Sequence, residues 1–434
     1  MIKNLINQLE NFCNYYYFGE IEEVKGYTIK VNSYLGEIGS LCWSEENGKK
    51  EIFEVVGFEE KYTYLMSLRK ISGIKPKQKI FSTGEKFEIE ISSEMLGRVL
   101  NCLGIPIDSK PNLFRIEERR SIFNNPPNPM TRERIKDILP TGIKIIDTLF
   151  TIGKGQRIGI FSGSGVGKSA LLGMLARNNF GDVNVVCLVG ERGREVREFI
   201  EEFLGEEGLK RSVVVVSTSD ESPLSRIRCV YTSITIAEFF RDKNLDVTFF
   251  LDSLTRFAMA QRELGLSIGE PPTSKGYPPS IFGMLSNLLE RCGTSSKGSI
   301  TGFFTLLVEG DDLNEPISDY TRSVLDGHIC LDRDLFNTGQ RPAVDILNSL
   351  SRLMYFIVDK EHMEIAEKIR KIFSIYNDVK DIVRIGAYKK GTDKEIDYAL
   401  EKVPLLLEFF RQDLKYQKIE INDIISKVKE ILNG

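Results

Sequence analysis

The eight residues Ser162-Gly163-Ser164-Gly165-Val166-Gly167-Lys168-Ser169 constrain this chain more than any other stretch. They stand between an apolar run, RIGIF, and a helix-forming run, SALLGML, so the order reads strand, glycine-rich loop, helix. Glycines let the backbone wrap so tightly that successive N–H groups point inward at phosphates, and the start of the following helix adds positive potential. In such a loop Lys168 meets the outer phosphates and Ser169 holds Mg²⁺. The pattern usually opens on glycine; here it opens on Ser162, whose small side chain fits the same place.

The surroundings of the loop predict an α/β fold. From 140 to about 345, apolar strands alternate with helical segments: RIGIF then SALLGMLARN, VNVVCLVG then REVREFIEEFL, SVVVVSTS, VTFFLD then TRFAMAQREL, SITGFFTLLV and HICLD. Uninterrupted Val, Ile and Phe runs are the mark of parallel strands buried on both faces. A sheet of this kind binds ligands at the carboxyl ends of its strands. Two acids stand there. Asp252 closes VTFFLD, the form of an acid that holds Mg²⁺ through water, and Glu191 follows VNVVCLVG, where a carboxylate can polarise an attacking water. Loop and acids together predict a phosphohydrolase.

At 434 residues the chain is long enough for two or three domains. Residues 93–350 are assigned to this phosphate-binding core. Residues 20–92 carry short β-rich runs (YTIKV, EIGSLCW, IFEVVGF, TYLMSL, FEIEIS) that predict a small β-barrel, and PPNP at 126–129 marks a loop into the core. Residues 351–434 read as a helical domain. Residues 1–19 place Ile2, Leu5, Ile6, Leu9, Phe12, Cys13 and Tyr16 at helical spacing, an amphipathic helix that either packs on its own domain or docks a partner. A net charge of −4 gives no support for nucleic acid as a partner. No apolar run is long enough to span a membrane, and the interrupted N-terminus is not a signal peptide. Seven cysteines without a C-x-x-C pair predict buried reduced thiols in a cytoplasmic protein.

GSGVGKSALLGMLARN, LVGERGREVREF, LDSLTRFAMAQRELGLSIGEPPTSKGYPPS, LVEGDDLNEPISD and RSVLDGHICLDRDL closely resemble the ATPases of bacterial type III protein export, above all the flagellum-specific branch. That family is itself similar to the catalytic head subunits of rotary ATP synthases, and the likeness runs from about residue 95 to 400. The resemblance implies a β-barrel, a RecA-like P-loop ATPase core and a C-terminal helical domain. It assigns Lys168 and Ser169 to phosphate and Mg²⁺, Glu191 to catalysis, Asp252 to the metal and Arg192 to the γ-phosphate region of ATP. It also makes Arg352, in LNSLSR, an arginine finger acting on a neighbour's nucleotide. One chain holding both Glu191 and Arg352 can build a homohexamer of equivalent sites. Arg341 departs from the family, in which many members carry a tyrosine against the adenine; Tyr388 is an aromatic that could serve instead.

The implied partners are a stator-type regulator at the N-terminal helix, a central stalk protein, export chaperones and cargo, and a membrane-embedded export gate met peripherally at the inner membrane. Three other readings share the core: a virulence injectisome ATPase, a rotary ATP synthase subunit and a nucleic-acid translocase. The single-chain pairing of Glu191 with Arg352 and the GEPPTSKGYPPS block speak against the synthase, and abundant Glu in 20–92 speaks against the translocase. A nucleotide-sensing scaffold without turnover is the non-enzymatic rival.

Overall fold

Alternating apolar and polar residues close the first part of the chain into a barrel. The computed structural model describes residues 17–433 apart from 47–48, 70–72, 112–114, 309, 311, 313 and 414–418. Strands β1 (Tyr17–Lys25), β2 (Thr28–Val31), β3 (Ser40–Glu46), β4 (Lys49–Glu59), β5 (Tyr62–Ser67) and β6 (Lys79–Lys86) pair in the order β1-β2-β5-β4-β3-β6 around a closed ring. Every second side chain points inward, so Ile21, Ile29, Val31, Phe53, Val55, Leu65 and Ile80 fill the interior.

Two expectations change here. Residues 1–16 of the N-terminal helix assignment lie outside the described residues, and residues 17–19 belong to β1. Tyr17, Phe18 and Gly19 already pair with Ser82, Phe81 and Ile80, a long-range ladder that local helical spacing does not reveal. FEIEIS does not join the barrel either. Its strand β7 (Glu88–Ile91) pairs with β9 (Glu118–Ser121) in a separate ribbon, because Phe87, Ile89 and Ile91 bury against the core with Ile122 rather than inside the barrel.

The core is a mainly parallel sheet. Its strands are β8 (Arg98–Leu100), β10 (Arg157–Ser162), β11 (Val183–Glu191), β12 (Ser212–Thr218), β13 (Asp246–Asp252), β15 (Ser299–Leu307), β16 (Gly327–Cys330) and β17 (Leu350–Ser351), with the short β14 (Gly293–Thr294) beside β15. The order across the sheet is β17-β16-β10-β15-β13-β11-β12-β8. Neighbouring residues of β11 serve opposite faces: Val185, Cys187 and Val189 enter one apolar cluster, Val186 and Leu188 the other. Both faces are covered, which is why the strands read as unbroken apolar runs. The last strand, β17, runs antiparallel to β16, with Ser351 opposite Gly327, and so returns the chain to the amino end of the sheet.

Helices α1 (Lys168–Asn178), α2 (Gly193–Glu198), α3 (Pro223–Asp242) and α4 (Pro316–Val324) flank this sheet. Helix α3 also ties it to the barrel: Arg228 Nε donates to Glu54 Oε2 at 2.6 Å, a buried ion pair, with the guanidinium 4.7 Å above the Phe123 ring. Beyond the sheet come α5 (Lys360–Arg384), α6 (Lys394–Phe410) and α7 (Ile421–Asn433). Asp359 and Asp393 accept from the first backbone N–H groups of α5 and α6, satisfying donors a helix start leaves unpaired. Their apolar faces, with Ile369, Val403, Leu406 and Val428, join the cluster behind α1. The six described cysteines are buried and unbridged. Among the described residues no helix is long and apolar enough to cross a membrane.

Candidate functional site

The phosphate loop leaves β10 at its carboxyl end and enters α1 at Lys168. Gly165 and Gly167 have φ of +76° and +90°, a left-handed backbone that side chains disfavour, and a Cβ on Gly167 would come 3.1 Å from the Phe336 ring. Gly163 and Val166 are buried beneath the turn, whereas Ser164 and Gly165 are exposed on its outer side and Gly167 is half-buried. Ser162 Oγ is buried at the base without a partner from the protein, and Ser162 O instead receives the N–H of Val308 at 3.0 Å. An unpaired buried hydroxyl costs about 1–3 kcal/mol, so this one is suited to an oxygen supplied from outside the chain.

Three of the sequence-predicted residues converge. β11 and β13 are neighbours, and their last residues are Glu191 and Asp252. Lys168 Nζ donates to Asp252 Oδ1 at 2.5 Å and lies 3.8 Å from Glu191 Oε1. The same Asp252 oxygen accepts from Thr305 Oγ1 at 2.8 Å. Burial alone would lower the Lys168 pKa, but the charges of Asp252 and Glu191 outweigh it and leave it raised. Burial, and then the neighbouring charge of Asp252, push the Glu191 carboxyl up to about 7 against the pull of Lys168. Ser169, one residue into α1, sits half-buried at the helix start.

Arg192 does not join this cluster. It occupies the start of α2, where its guanidinium, 79% exposed, pairs with Glu195 at 3.0 Å. Burial opposes ionisation of Glu195, yet its hydrogen bonds with Glu191 and Arg192 outweigh that and hold its pKa below the usual range.

Beside the loop opens a cavity of about 500 Å³, lined by Val166, Ala170, Leu171, Met174, Arg341 and Pro342 among others. The Arg341 guanidinium lies 3.6 Å over the Phe336 ring, and Nη1 donates to the carbonyls of Phe336 and Gln340 at 2.8 and 2.9 Å. It thus presents a rigid, flat cation to the cavity. Tyr388 is elsewhere: its hydroxyl bonds Asp397 Oδ1 at 2.9 Å in the connection between α5 and α6.

Arg352 stands at the opposite end of the sheet. Its N–H donates to Asp326 O at 3.0 Å, and Asp326 N–H to Arg157 O at 3.0 Å, so it is level with the first residue of β10. The six residues of β10 then separate it from the loop, roughly 20 Å at about 3.3 Å per residue. That gap exceeds the reach of an arginine side chain.

Sequence reasoning missed Thr305, Glu195 and Arg256. Thr305 is a lone hydroxyl within the apolar run GFFTLL, and Arg256, four residues past Asp252, adds a charge felt by both Lys168 and Glu191. Either oddity is visible in the sequence once the strand ends are taken as the site.

A glycine-rich cradle at the carboxyl end of a parallel sheet, with a lysine between two strand-end carboxylates, defines a P-loop ATPase. Residues 142–351 match the ATP synthase alpha/beta family, nucleotide-binding domain, and residues 358–430 match the T3SS EscN ATPase C-terminal domain. The chain is 48% identical over 416 residues to a flagellum-specific ATP synthase of Bacillus subtilis (strain 168), with 94% of each covered. It is similar to the assembled ATPase EscN from the type III secretion system of enteropathogenic E. coli: TM-score 0.90, 39% identity, 95% of this chain and 100% of that one. EscN in complex with its central stalk EscO matches at TM-score 0.88 and 38% identity, with the same coverage. The chain belongs to the ATP synthase alpha/beta family, within its branch of flagellum-specific and type III secretion ATPases.

Proposed function

We propose that this protein hydrolyses ATP as the motor of a bacterial flagellar type III export apparatus, coupling turnover to delivery, unfolding and translocation of export substrates. The observation that carries the reading is the convergence of Lys168, Asp252 and Glu191 beneath the phosphate loop. The N–H groups of residues 163–169 and the Lys168 ammonium hold the outer phosphates of ATP. Glu191, ionised, accepts a hydrogen bond from the attacking water and orients it in line with the leaving phosphate. Ser169 and Asp252 are hard oxygen donors of the kind Mg²⁺ takes, and would hold it. Mg²⁺ held there would supply positive charge to offset that of the phosphates. Arg192 reaches the γ-phosphate region by leaving Glu195, a cheap exchange, because an exposed pair contributes about 0–1 kcal/mol. The base occupies the cavity beside Arg341.

Arg352 acts on the nucleotide of a neighbouring copy in a homohexamer. Its distance from its own loop supports that role, as does the assembled state of EscN. The EscN–EscO complex supports a central stalk partner of the same kind here. The remaining partners are a stator-type regulator at the N-terminus, chaperone and cargo complexes at the helical domain, and the membrane-embedded gate, met from the cytoplasm. Purified protein should hydrolyse ATP with Mg²⁺, more slowly per chain on dilution, and Glu191→Gln should bind ATP without turning it over. Unchanged turnover in Glu191→Gln would refute the assignment.

A virulence secretion ATPase is the second reading, favoured by the likeness to EscN. Deleting the gene in its own bacterium decides between them: loss of flagellar filaments supports the first, and intact filaments with lost effector secretion the second.

A further inference from the structure

The amino end of the sheet carries a second arginine beside Arg352. Helix α4 ends there, and Arg352 Nη2 donates to the backbone carbonyl of Arg322 in its last turn at 3.2 Å. Arg322 adds its own guanidinium, 32% exposed, which meets Asp319 Oδ1 at 3.2 Å one turn back on the same helix. That pair is on the surface and holds the side chain by about 0–1 kcal/mol.

Asp326 and His328, the groups beside this pair, carry no free charge. Both Asp326 carboxylate oxygens receive Arg157, through Nε at 3.0 Å and Nη2 at 3.1 Å. His328, on β16, lies edge-on to Phe161 with ring centroids 5.9 Å apart. Burial, helped by the charges of Arg322 and Arg352, outweighs a backbone hydrogen bond at Asn348 and lowers its pKa, so it adds no third charge at neutral pH. Each arginine has five N–H donors, and the bonds to the Arg322 carbonyl and to Asp319 use a small part of them. Arg352 rests on the backbone of Arg322, so both side chains start from one end of the sheet, and each planar fork can make bidentate bonds to the oxygens of a polyphosphate.

We propose that Arg322 acts in trans together with Arg352, so that the two guanidinium groups close on the triphosphate bound by a neighbouring copy of this chain. The proposal rests on the reading that Arg352 faces that neighbour. On binding, Arg322 exchanges Asp319 for phosphate oxygens, and the fixed carbonyl of the same residue keeps Arg352 in register.

Arg322→Ala should lower kcat by about tenfold to a hundredfold, the worth of a charged hydrogen bond, with KM little changed. Arg322→Lys should recover part of the loss, since it restores the charge without the fork. Neither substitution should alter nucleotide binding by dilute chains. Mixing Arg322→Ala with Glu191→Gln should raise turnover above the sum of the two alone, because only a mixed interface joins an intact Glu191 to an intact Arg322. Wild-type kcat in Arg322→Ala overturns the proposal. So does a mixture that gains nothing while Arg352→Ala mixed with Glu191→Gln does gain. If neither mixture gains, the cross-subunit reading of Arg352 fails, and the role of Arg322 fails with it.

Discussion

At the carboxyl end of the parallel sheet, Lys168 is held between Asp252 and Glu191, with Thr305 bracing Asp252 from the next strand. At the amino end, Arg352 lies exposed on a helix carbonyl of Arg322, roughly 20 Å along β10 from the phosphate loop of its own chain. The first end is a nearly finished site, in which opposite charges already compensate one another. The second presents positive charge outward with weak local partners. On the proposed reading, half of the nucleotide chemistry stands at each end, and stacking copies head to tail would bring the halves together.

The largest expected effect comes from breaking the second end. Arg352→Ala should cost about 10³–10⁵ in assembled turnover, as for other arginine fingers, and leave ATP binding by the dilute chain intact in a fluorescent-nucleotide titration. Breaking the first end at Glu191→Gln should cost about 10²–10⁴ in kcat, as expected for loss of a water-orienting carboxylate. The two losses differ in kind: dilution should mimic the first and leave the residual rate of the second unchanged per assembled site.

The first end should also respond to acid. Glu191 works ionised and its carboxyl is raised to about 7, so kcat/KM should be level above that pH and fall about tenfold per unit below it. A profile flat down to pH 5 would remove Glu191 from the rate-determining chemistry. The amino end, carrying arginines, should add no acid limb of its own. The smallest effect is expected at Thr305→Val, where losing the hydrogen bond to Asp252, about 1 kcal/mol, should slow turnover about fivefold without altering Arg352-dependent activation.

Much of the carboxyl end is legible in the sequence because it is local. The loop is eight consecutive residues, and Glu191 and Asp252 each close an unbroken apolar run, so strand direction alone brings them to one edge. What is missing depends on pairing between distant segments. The three residues of β8 enter the sheet through their neighbours on β12, not through any signal of their own, with Arg98 opposite Val213 and Leu100 opposite Val215. FEIEIS alternates as a barrel strand should, yet pairs with Arg119 and Arg120 some thirty residues on. The position of Arg352 is the clearest case. Only the two-residue return strand β17, invisible to any periodicity, puts it at the far end from Lys168. Arg192 shows the converse: its place next to Glu191 is plain, but the capping of α2 through Glu195 turns its side chain outward.

The most direct test of the account is turnover by a mixture of Arg352→Ala and Glu191→Gln chains, each slowed about a hundredfold or more alone. If the two ends of the sheet serve different copies, mixed assemblies should regain ATP hydrolysis at interfaces that join an intact Glu191 to an intact Arg352, with a maximum near equal amounts. No regained activity in assemblies proven to contain both chains would contradict the account.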